Sequence, residues 1–350
     1  MAEASFYKLR VAEVVPETAD AHSVVFDVPE DLEQRFRYRP GQFLTLRLPS
    51  ELTGSVARCY SLSSSPHDGV RPQITVKRTV EGYGSNWICD HVGSGTVLEV
   101  HPPSGRFVPH DLDADLLLLA GGSGITPVMS IVRSALSQGE GHVVLVYANR
   151  DEKSVIFADA LRGLQQRYGD RLVVVHWLET LQGLPDDARL RSLVKAYADR
   201  EAFICGPGPF MDTAGAVLRD LGAPRSRIHI ERFVSLHEDP GAQASATDVD
   251  EAPVEGPSGG SATVEVDLDG ARHELSWPVG TTLLDAMLDN GLDAPYSCKQ
   301  GQCSACTCRL EKGEVDLRHN EILDDQDLAE GYTLACQSMP ISESVSIAYD

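Results

Sequence analysis

Four cysteines near the C-terminal end carry the most explicit chemistry in this 350-residue sequence. Cys298, Cys303 and Cys306 are bunched, and Cys336 follows after 29 intervening residues. That C-x4-C-x2-C…C spacing is the one by which four thiolates hold a plant-type 2Fe-2S cluster. The ligand loop Pro295-Tyr296-Ser297-Cys298-Lys299-Gln300-Gly301-Gln302-Cys303-Ser304-Ala305-Cys306 contains glycine and small residues, so backbone N–H groups can approach the sulfurs. A structural zinc site would instead show paired short cysteine spacings or a histidine pair. Disulfides are disfavoured because the opening Met1-Ala2-Glu3-Ala4-Ser5 lacks a charged-then-apolar export signal, and a reducing cytoplasm is expected. Cys308, in the extended segment Thr307-Cys308-Arg309-Leu310, reads as a small buried side chain. A cluster of this type transfers electrons, so the remaining residues must supply a source and a receiver.

The middle of the chain offers the source. Asp115 to Ala120 is an apolar run suited to a buried parallel strand, and Gly121-Gly122-Ser123-Gly124-Ile125-Thr126-Pro127 leads from it into an amphipathic helix through Met129, Ile131, Val132 and Leu136. Glycines there let the backbone close on a pyrophosphate, and the helix N-terminus offers free N–H groups. A glycine turn can also simply end a strand. Its context is an alternating series: strand Val143 to Tyr147, helix Ala158 to Tyr168, strands Leu172 to His176 and Ala202 to Cys205. After the second strand comes Asn149-Arg150-Asp151-Glu152, where an arginine suits the 2'-phosphate of NADPH and an acidic residue suits the free ribose of NADH.

Residues 5–112 precede this and are rich in short strands, among them Leu9 to Val15, Ser23 to Val28, Gln42 to Leu48 and Gln73 to Lys77, which fits an antiparallel barrel. Within them stand Arg58-Cys59-Tyr60-Ser61 and Gly82-Tyr83-Gly84-Ser85-Asn86. An arginine can pair with a diphosphate and an aromatic can stack on a flat ring, although an exposed charge and an ordinary strand residue are the plain alternatives.

Length alone suggests two or three domains. The net charge of -22 is uneven: Val234 to Asp350 carries 23 acidic and 5 basic residues, hence -18. Nucleic acid is therefore an unsuitable partner, and a basic protein surface a suitable one. Glu321, Asp324, Asp325, Asp327 and Glu330 lie between cluster ligands, as either a docking face or a solvated one. No apolar run is long enough to span a bilayer, so no membrane is expected. The segment 234–261 is rich in proline, glycine and serine and reads as a tether. Beyond it, Thr263 to Leu268, the Asp269-Gly270 hairpin signal and His273 to Trp277 read as paired strands, and a helix capped by Thr281 or Thr282 runs to Gly291.

Taken together, residues 5–233 resemble the ferredoxin-NADP reductase superfamily, and the C-terminal segment resembles a β-grasp ferredoxin. With the order of its parts and the motifs Arg58-Cys59-Tyr60-Ser61-Leu62-Ser63-Ser64-Ser65-Pro66 and Cys205-Gly206-Pro207-Gly208-Pro209-Phe210-Met211, the chain is similar to the reductase components of 3-ketosteroid 9α-hydroxylases. Reductases of the phenylacetyl-CoA epoxidase type share the layout. The resemblance implies a multidomain fold: an antiparallel β-barrel flavin domain (5–112), an α/β parallel-sheet nucleotide domain (113–233), a linker (234–261) and an α+β ferredoxin domain (262–350). It implies an NADH-dependent oxidoreductase with FAD, NADH and a 2Fe-2S cluster, passing single electrons to an oxygenase, a Rieske-type steroid hydroxylase foremost. An iron-sulfur redox sensor is the reading of another class, but no DNA-binding motif is visible for its output. Arg58 would meet the FAD pyrophosphate, Tyr60 the isoalloxazine and Ser61 its N5, with Val76, Lys77, Gly84, Ser85 and Asn86 completing the flavin site. Gly122, Ser123, Gly124, Thr126, Pro127 and Arg150 would hold the nicotinamide nucleotide. Cys205, Gly206 and Pro207 would lie beside the nicotinamide and Phe233 near the flavin, with Ser61, Cys205 and Glu231 at the transfer point. Cys298, Cys303, Cys306 and Cys336 would be the metal ligands.

Overall fold

The computed structural model describes residues 6–50, 54–80, 82–233, 260–268, 270–292, 294–296 and 298–349. The tether, apart from Gly260 and Ser261, lies outside the described residues, as do Asp269 of the hairpin signal and Ser297 of the ligand loop. The described residues form two compact units, Phe6–Leu48 with Cys59–Phe233, and those of Pro49–Arg58 with those from Gly260 onward.

Six strands, β1 (Tyr7–Thr18), β2 (Ala21–Asp27), β3 (Phe43–Ser50), β4 (Gly54–Ser61), β5 (Gln73–Lys77) and β6 (Val97–Ser104), form a sheet of order β4-β3-β6-β1-β2-β5. The residue after β4 brings the sheet's two edges together. Leu62 bridges Ile74 of β5, and Ser63 N donates to Gln73 O at 2.7 Å. This closure leaves those backbone groups paired rather than exposed at an edge. Apolar residues alternate inward, with Leu9, Val11, Val24, Phe26, Leu44, Leu46, Ile74 and Val76 buried. Helix α1 (Tyr83–His91) follows β5, with Gly82 at its N-cap.

The parallel sheet has the order β11-β10-β7-β8-β9, built from β7 (Leu116–Gly121), β8 (Val143–Asn149), β9 (Leu172–Leu178), β10 (Glu201–Cys205) and β11 (Ile228–Glu231). Its strands read as unbroken apolar runs because both faces are covered. Leu116, Leu118, Leu145, Tyr147 and Phe203 pack on one side beneath α2 (Ile125–Gln138) and α3 (Ala158–Tyr168). Leu117, Leu119, Val144, Val146 and Ile204 pack on the other, under α5 (Asp187–Val194) and α6 (Gly208–Asp220); the short α4 (Glu179–Gln182) follows β9. Chain order reverses between β7 and β10, the crevice where open α/β sheets take ligands.

A row of hydroxyls joins barrel and parallel sheet. Ser130 Oγ of α2 donates to Ser64 O at 2.6 Å, and one turn later Ser134 Oγ donates to Ser65 Oγ at 3.0 Å, both fully buried. Ser64 Oγ also lies 2.6 Å from Tyr38 Oη and accepts from Gln73 N at 2.9 Å. The serine run after the arginine-aromatic motif is thus a seam, each hydroxyl satisfied by a partner.

The C-terminal unit places α7 (Leu283–Asp289) against a mixed sheet of order β13-β12-β18-β14-β16. Its strands are β12 (Ser261–Leu268), β13 (Ala271–Pro278), β14 (Thr307–Lys312), β16 (Tyr332–Leu334) and β18 (Ser344–Ala348); β15 (Val315–Leu317) pairs with β17 (Ser338–Pro340). β12 and β13 make the expected hairpin, and β18 joins β12 in parallel. Thr282 caps α7, accepting from Asp285 N at 3.1 Å, and Gly291 follows the helix at φ +79°. Trp277, Leu283, Leu284, Met287 and Ile347 fill the core. A short α8 (Asp325–Ala329) precedes β16.

Candidate cofactor sites

The thiols fall into two pairs. Cys298 is hydrogen-bonded to Cys303, and Cys306 to Cys336. Two ligands for each of two irons is the division a 2Fe-2S cluster requires. The partner thiol first, and burial second, push Cys298 and Cys306 up, so these groups resist ionising together until a cation offsets their charge. Donors converge on the sulfurs: Gln300 N reaches Cys298 Sγ at 3.3 Å and Gln337 Nε2 reaches Cys336 Sγ at 3.6 Å. The Ser304 and Thr307 hydroxyls are buried without a hydrogen-bond partner among the described residues, as suits groups beside a sulfur-rich ligand. Gly301 holds the loop at φ +72°, and a Cβ there would meet His319 O at 2.5 Å. The residues present fit the cluster. Cys308 is buried in β14, as its small size suggested.

Several neighbouring acids are spent on structure. Asp324 caps α8 by accepting from Asp327 N at 2.9 Å, and Asp327 returns the contact to Asp324 N at 3.0 Å, a reciprocal capping box. Glu321 accepts from Gln302 Nε2 at 2.8 Å and lies 2.8 Å from His319 Nε2.

In the parallel sheet, backbone approaches backbone where the glycine turn enters α2. A Cβ on Gly124 would lie 2.1 Å from Cys205 O, and one on Gly206 would lie 2.9 Å from Gly121 N. Only glycine fits at these two positions. Gly122 adopts φ +53°, held by Tyr147 Oη, which donates to Gly122 O at 3.1 Å. Thr126 Oγ1 donates to Ser123 O at 3.1 Å and tightens the turn; Pro127 is buried behind it. From the barrel, Lys77 brings its Nζ within 3.9 Å of where a Gly122 Cβ would stand, while pairing with Asp20 at 3.8 Å. Val76, beside it, is buried.

Cys205 and Glu231 are register partners on β10 and β11. Burial keeps the Cys205 thiol protonated, with the nearby Glu231 charge adding to the effect. Burial likewise pushes the Glu231 carboxyl up to about 8. Gly206 and Pro207 follow at the entry of α6, and Phe233 is exposed just beyond Glu231.

Ser61 is buried at the end of β4, and Tyr60 half-buried beside it. Arg58 lies on the same strand in the other compact unit, donating to Ala57 O at 2.8 Å. Gly84, Ser85 and Asn86 fall inside the first turn of α1 rather than in a turn before it. Their side chains face back: Ser85 Oγ accepts from Thr79 N at 3.1 Å and Asn86 Nδ2 donates to Gly82 O at 2.8 Å. They brace the loop that leads into α1.

Arg150 is folded onto its own loop, Nε 3.3 Å from Asp151 Oδ2 and Nη2 3.3 Å from Ser154 Oγ. Asp151 also accepts from Ser154 N at 2.9 Å and from Ser154 Oγ at 2.8 Å. Sequence reasoning missed the Tyr147 hydroxyl and the serine seam.

These sites define a class: an oxidoreductase that joins a flavin and a nicotinamide coenzyme to an iron-sulfur centre. An oxidoreductase FAD-binding domain model matches residues 8–108, an oxidoreductase NAD-binding domain model residues 118–215, and a 2Fe-2S iron-sulfur cluster binding domain model residues 266–340. The "3-ketosteroid-9-alpha-monooxygenase, ferredoxin reductase component" of Mycolicibacterium smegmatis is 57% identical over 98% of this chain and 97% of its own length. One of the subunits of the 1,2-phenylacetyl-CoA epoxidase of Escherichia coli is 35% identical over 99% and 98%. Among solved structures, phthalate dioxygenase reductase shares the fold with a TM-score of 0.57 and 24% identity, covering 99% of this chain and 98% of that one. The chain belongs to the family of ferredoxin reductase components of multicomponent monooxygenases. Its cofactors are FAD, NADH and a 2Fe-2S cluster, and its partner is an oxygenase component. No helix among the described residues is long and apolar enough to cross a membrane.

Proposed function

We propose that the chain is the reductase of a 3-ketosteroid 9α-monooxygenase, feeding a Rieske-type steroid hydroxylase in the cytoplasm. The observation that carries this reading is the end-to-end likeness to the steroid component, well above that to the epoxidase relative. The borders that go with it are 5–112, 113–233 and 262–350, with 234–261 as the tether.

Bound FAD would supply the conversion of a hydride from NADH into single electrons, and the 2Fe-2S cluster their onward transfer. The chain's residues arrange the reactants and exclude water. Arg58 pairs with the FAD pyrophosphate, assisted by the N–H groups around Gly84, Ser85 and Asn86. Tyr60 and Phe233 cover the ring, Ser61 contacts the N5 edge, and Val76 and Lys77 line the site from β5. Gly122, Ser123, Gly124, Thr126 and Pro127 hold the coenzyme pyrophosphate at the start of α2. Cys205, Gly206 and Pro207 seat the nicotinamide, with Glu231 behind. A thiol and a carboxyl that both stay protonated near neutral pH give that pocket an uncharged wall. Asp151, holding Arg150 back, supports NADH over NADPH. Cys298, Cys303, Cys306 and Cys336 hold the irons.

The test combines the purified protein with NADH, a purified Rieske-type 3-ketosteroid oxygenase and a 3-ketosteroid. NADH-dependent 9α-hydroxylation is expected, and turnover with the epoxidase oxygenase but not the steroid oxygenase would reverse the assignment. A higher kcat/KM with NADPH would overturn the coenzyme choice.

A further inference from the structure

Gln337 follows Cys336, and both of its backbone groups are pinned. Its N donates to Leu334 O at 2.9 Å, and its O accepts from Arg318 N at 3.1 Å. The stem of its side chain packs at Gly301, where an added Cβ would meet Gln337 Cγ at 3.1 Å. The amide is thus carried back over the ligand loop. There Nε2 donates to Lys299 O at 3.0 Å and to Cys336 Sγ at 3.6 Å, a separation long for an oxygen acceptor but within reach of the larger sulfur. A backbone carbonyl can only accept, so the contact with Lys299 O settles which end of the amide is the donor. An NH2 group carries two hydrogens, and here it meets two acceptors, one on each of the segments that supply thiols.

Lys299, directly after Cys298, has a φ of +55°, and only one other non-glycine residue among those described is left-handed. Such a conformation costs energy and persists where the surroundings hold it. Gln337 holds the Lys299 carbonyl, and Asp285 Oδ1 holds its Nζ at 3.1 Å. The amide therefore faces the sulfur from a fixed frame. Gln300 N, at Cys298, is a backbone donor that nearly any residue would supply; the donor at Cys336 depends on a particular side chain. Gaining an electron adds negative charge to an iron-sulfur centre, part of it on the thiolate sulfurs, so a fixed N–H at a sulfur stabilises the reduced form more than the oxidised one.

Resting on the reading of Cys336 as a cluster ligand, we propose that Gln337 is a positioning residue that raises the reduction potential of the 2Fe-2S centre by donating to the Cys336 sulfur. It thereby shifts the one-electron equilibrium between reduced FAD and the cluster toward the cluster. The electron comes from the reduced flavin and leaves to the oxygenase, and no bond to Gln337 forms or breaks. A carboxamide does not titrate, so its contribution is the same at every pH at which the protein is folded.

The test compares the full-length holoenzyme with Q337L, which removes the donor, and with Q337E, which keeps the shape and puts a carboxylate oxygen where the NH2 stood. In each, the midpoint potentials of cluster and FAD are measured by redox titration followed by electron paramagnetic resonance and absorbance, and iron and labile sulfide are counted per flavin. In Q337L the equilibrium between flavin and cluster is expected to move about tenfold toward the flavin, the worth of one hydrogen bond to a charged group, which is a fall of about 59 mV in the one-electron potential of the cluster. Q337E is expected to fall at least as far. The FAD potential, the rate of FAD reduction by NADH and the iron and sulfide content are expected to hold. An unchanged cluster potential in either variant, or an equal fall in the cluster and FAD potentials, overturns the proposal. So does loss of the cluster from both variants, which would make Gln337 a strut for assembly. A C336A protein with iron, sulfide and potential all unchanged would instead overturn the ligand reading.

Discussion

Burial favours the protonated form of the Glu231 carboxyl. Burial raises its pKa from 4.5 to about 8, so between those values the native state binds one proton more than the unfolded chain. Stability from this group is therefore greatest at low pH, falls as pH rises through that window and is level above it. The FAD-loaded protein is expected to lose more Tm between about pH 5 and about pH 8 than E231Q does. Parallel melting curves for the two across that range would remove Glu231 as the proton holder. At this scale the sequence was legible where chemistry is written as spacing, as with the four cysteines. It was illegible where a side chain acts by its surroundings. Nothing in the letters of Ser85 and Asn86 says that their side chains fold back onto Thr79 and Gly82, or that Asp324 and Asp327 consume each other in a cap. Both readings of those acids, docking face and solvated face, leave out the cap, because capping depends on where a helix starts to within one residue.

Elements impose their constraints through backbone contact. The start of α2 meets the end of β10 with no room for a single added carbon at Gly124. G124A is expected to cost about 1–3 kcal/mol in stability, as overpacking does, and to raise the KM for NADH while leaving bound FAD in place. Unchanged melting and coenzyme kinetics would show that α2 can shift. In the ligand loop, G301A meets both a positive φ and His319 O at 2.5 Å, so the protein is expected to be isolated with less iron and labile sulfide per flavin. Full cluster content in G301A would count against the loop's rigidity. The strands and helices themselves were largely readable: the runs Gln73 to Lys77 and Ala158 to Tyr168 match β5 and α3 to the residue. Periodicity does not reveal how elements meet. Leu62 bridging Ile74, which closes the barrel, depends on a pairing between segments whose order in the sheet no local pattern encodes.

The whole molecule divides its charge as unevenly as its chemistry, with -18 of the net -22 falling after Phe233. If that acidity steers the encounter with the oxygenase, the second-order rate of electron delivery should drop steeply as salt rises from about 0.05 to about 0.5 M, while NADH-driven ferricyanide reduction changes little. Delivery insensitive to salt would mean that the acids serve solubility alone. The seam of Ser64 and Ser65 with Ser130 and Ser134 bears on a different matter, the units in which such a protein can be rearranged by gene fusion. Its hydroxyls are matched donor to acceptor across the barrel and the parallel sheet, so a transplanted barrel would carry unanswered polar groups to any partner lacking serines at those two turns of α2. The barrel and the parallel sheet are thus heritable only as a pair.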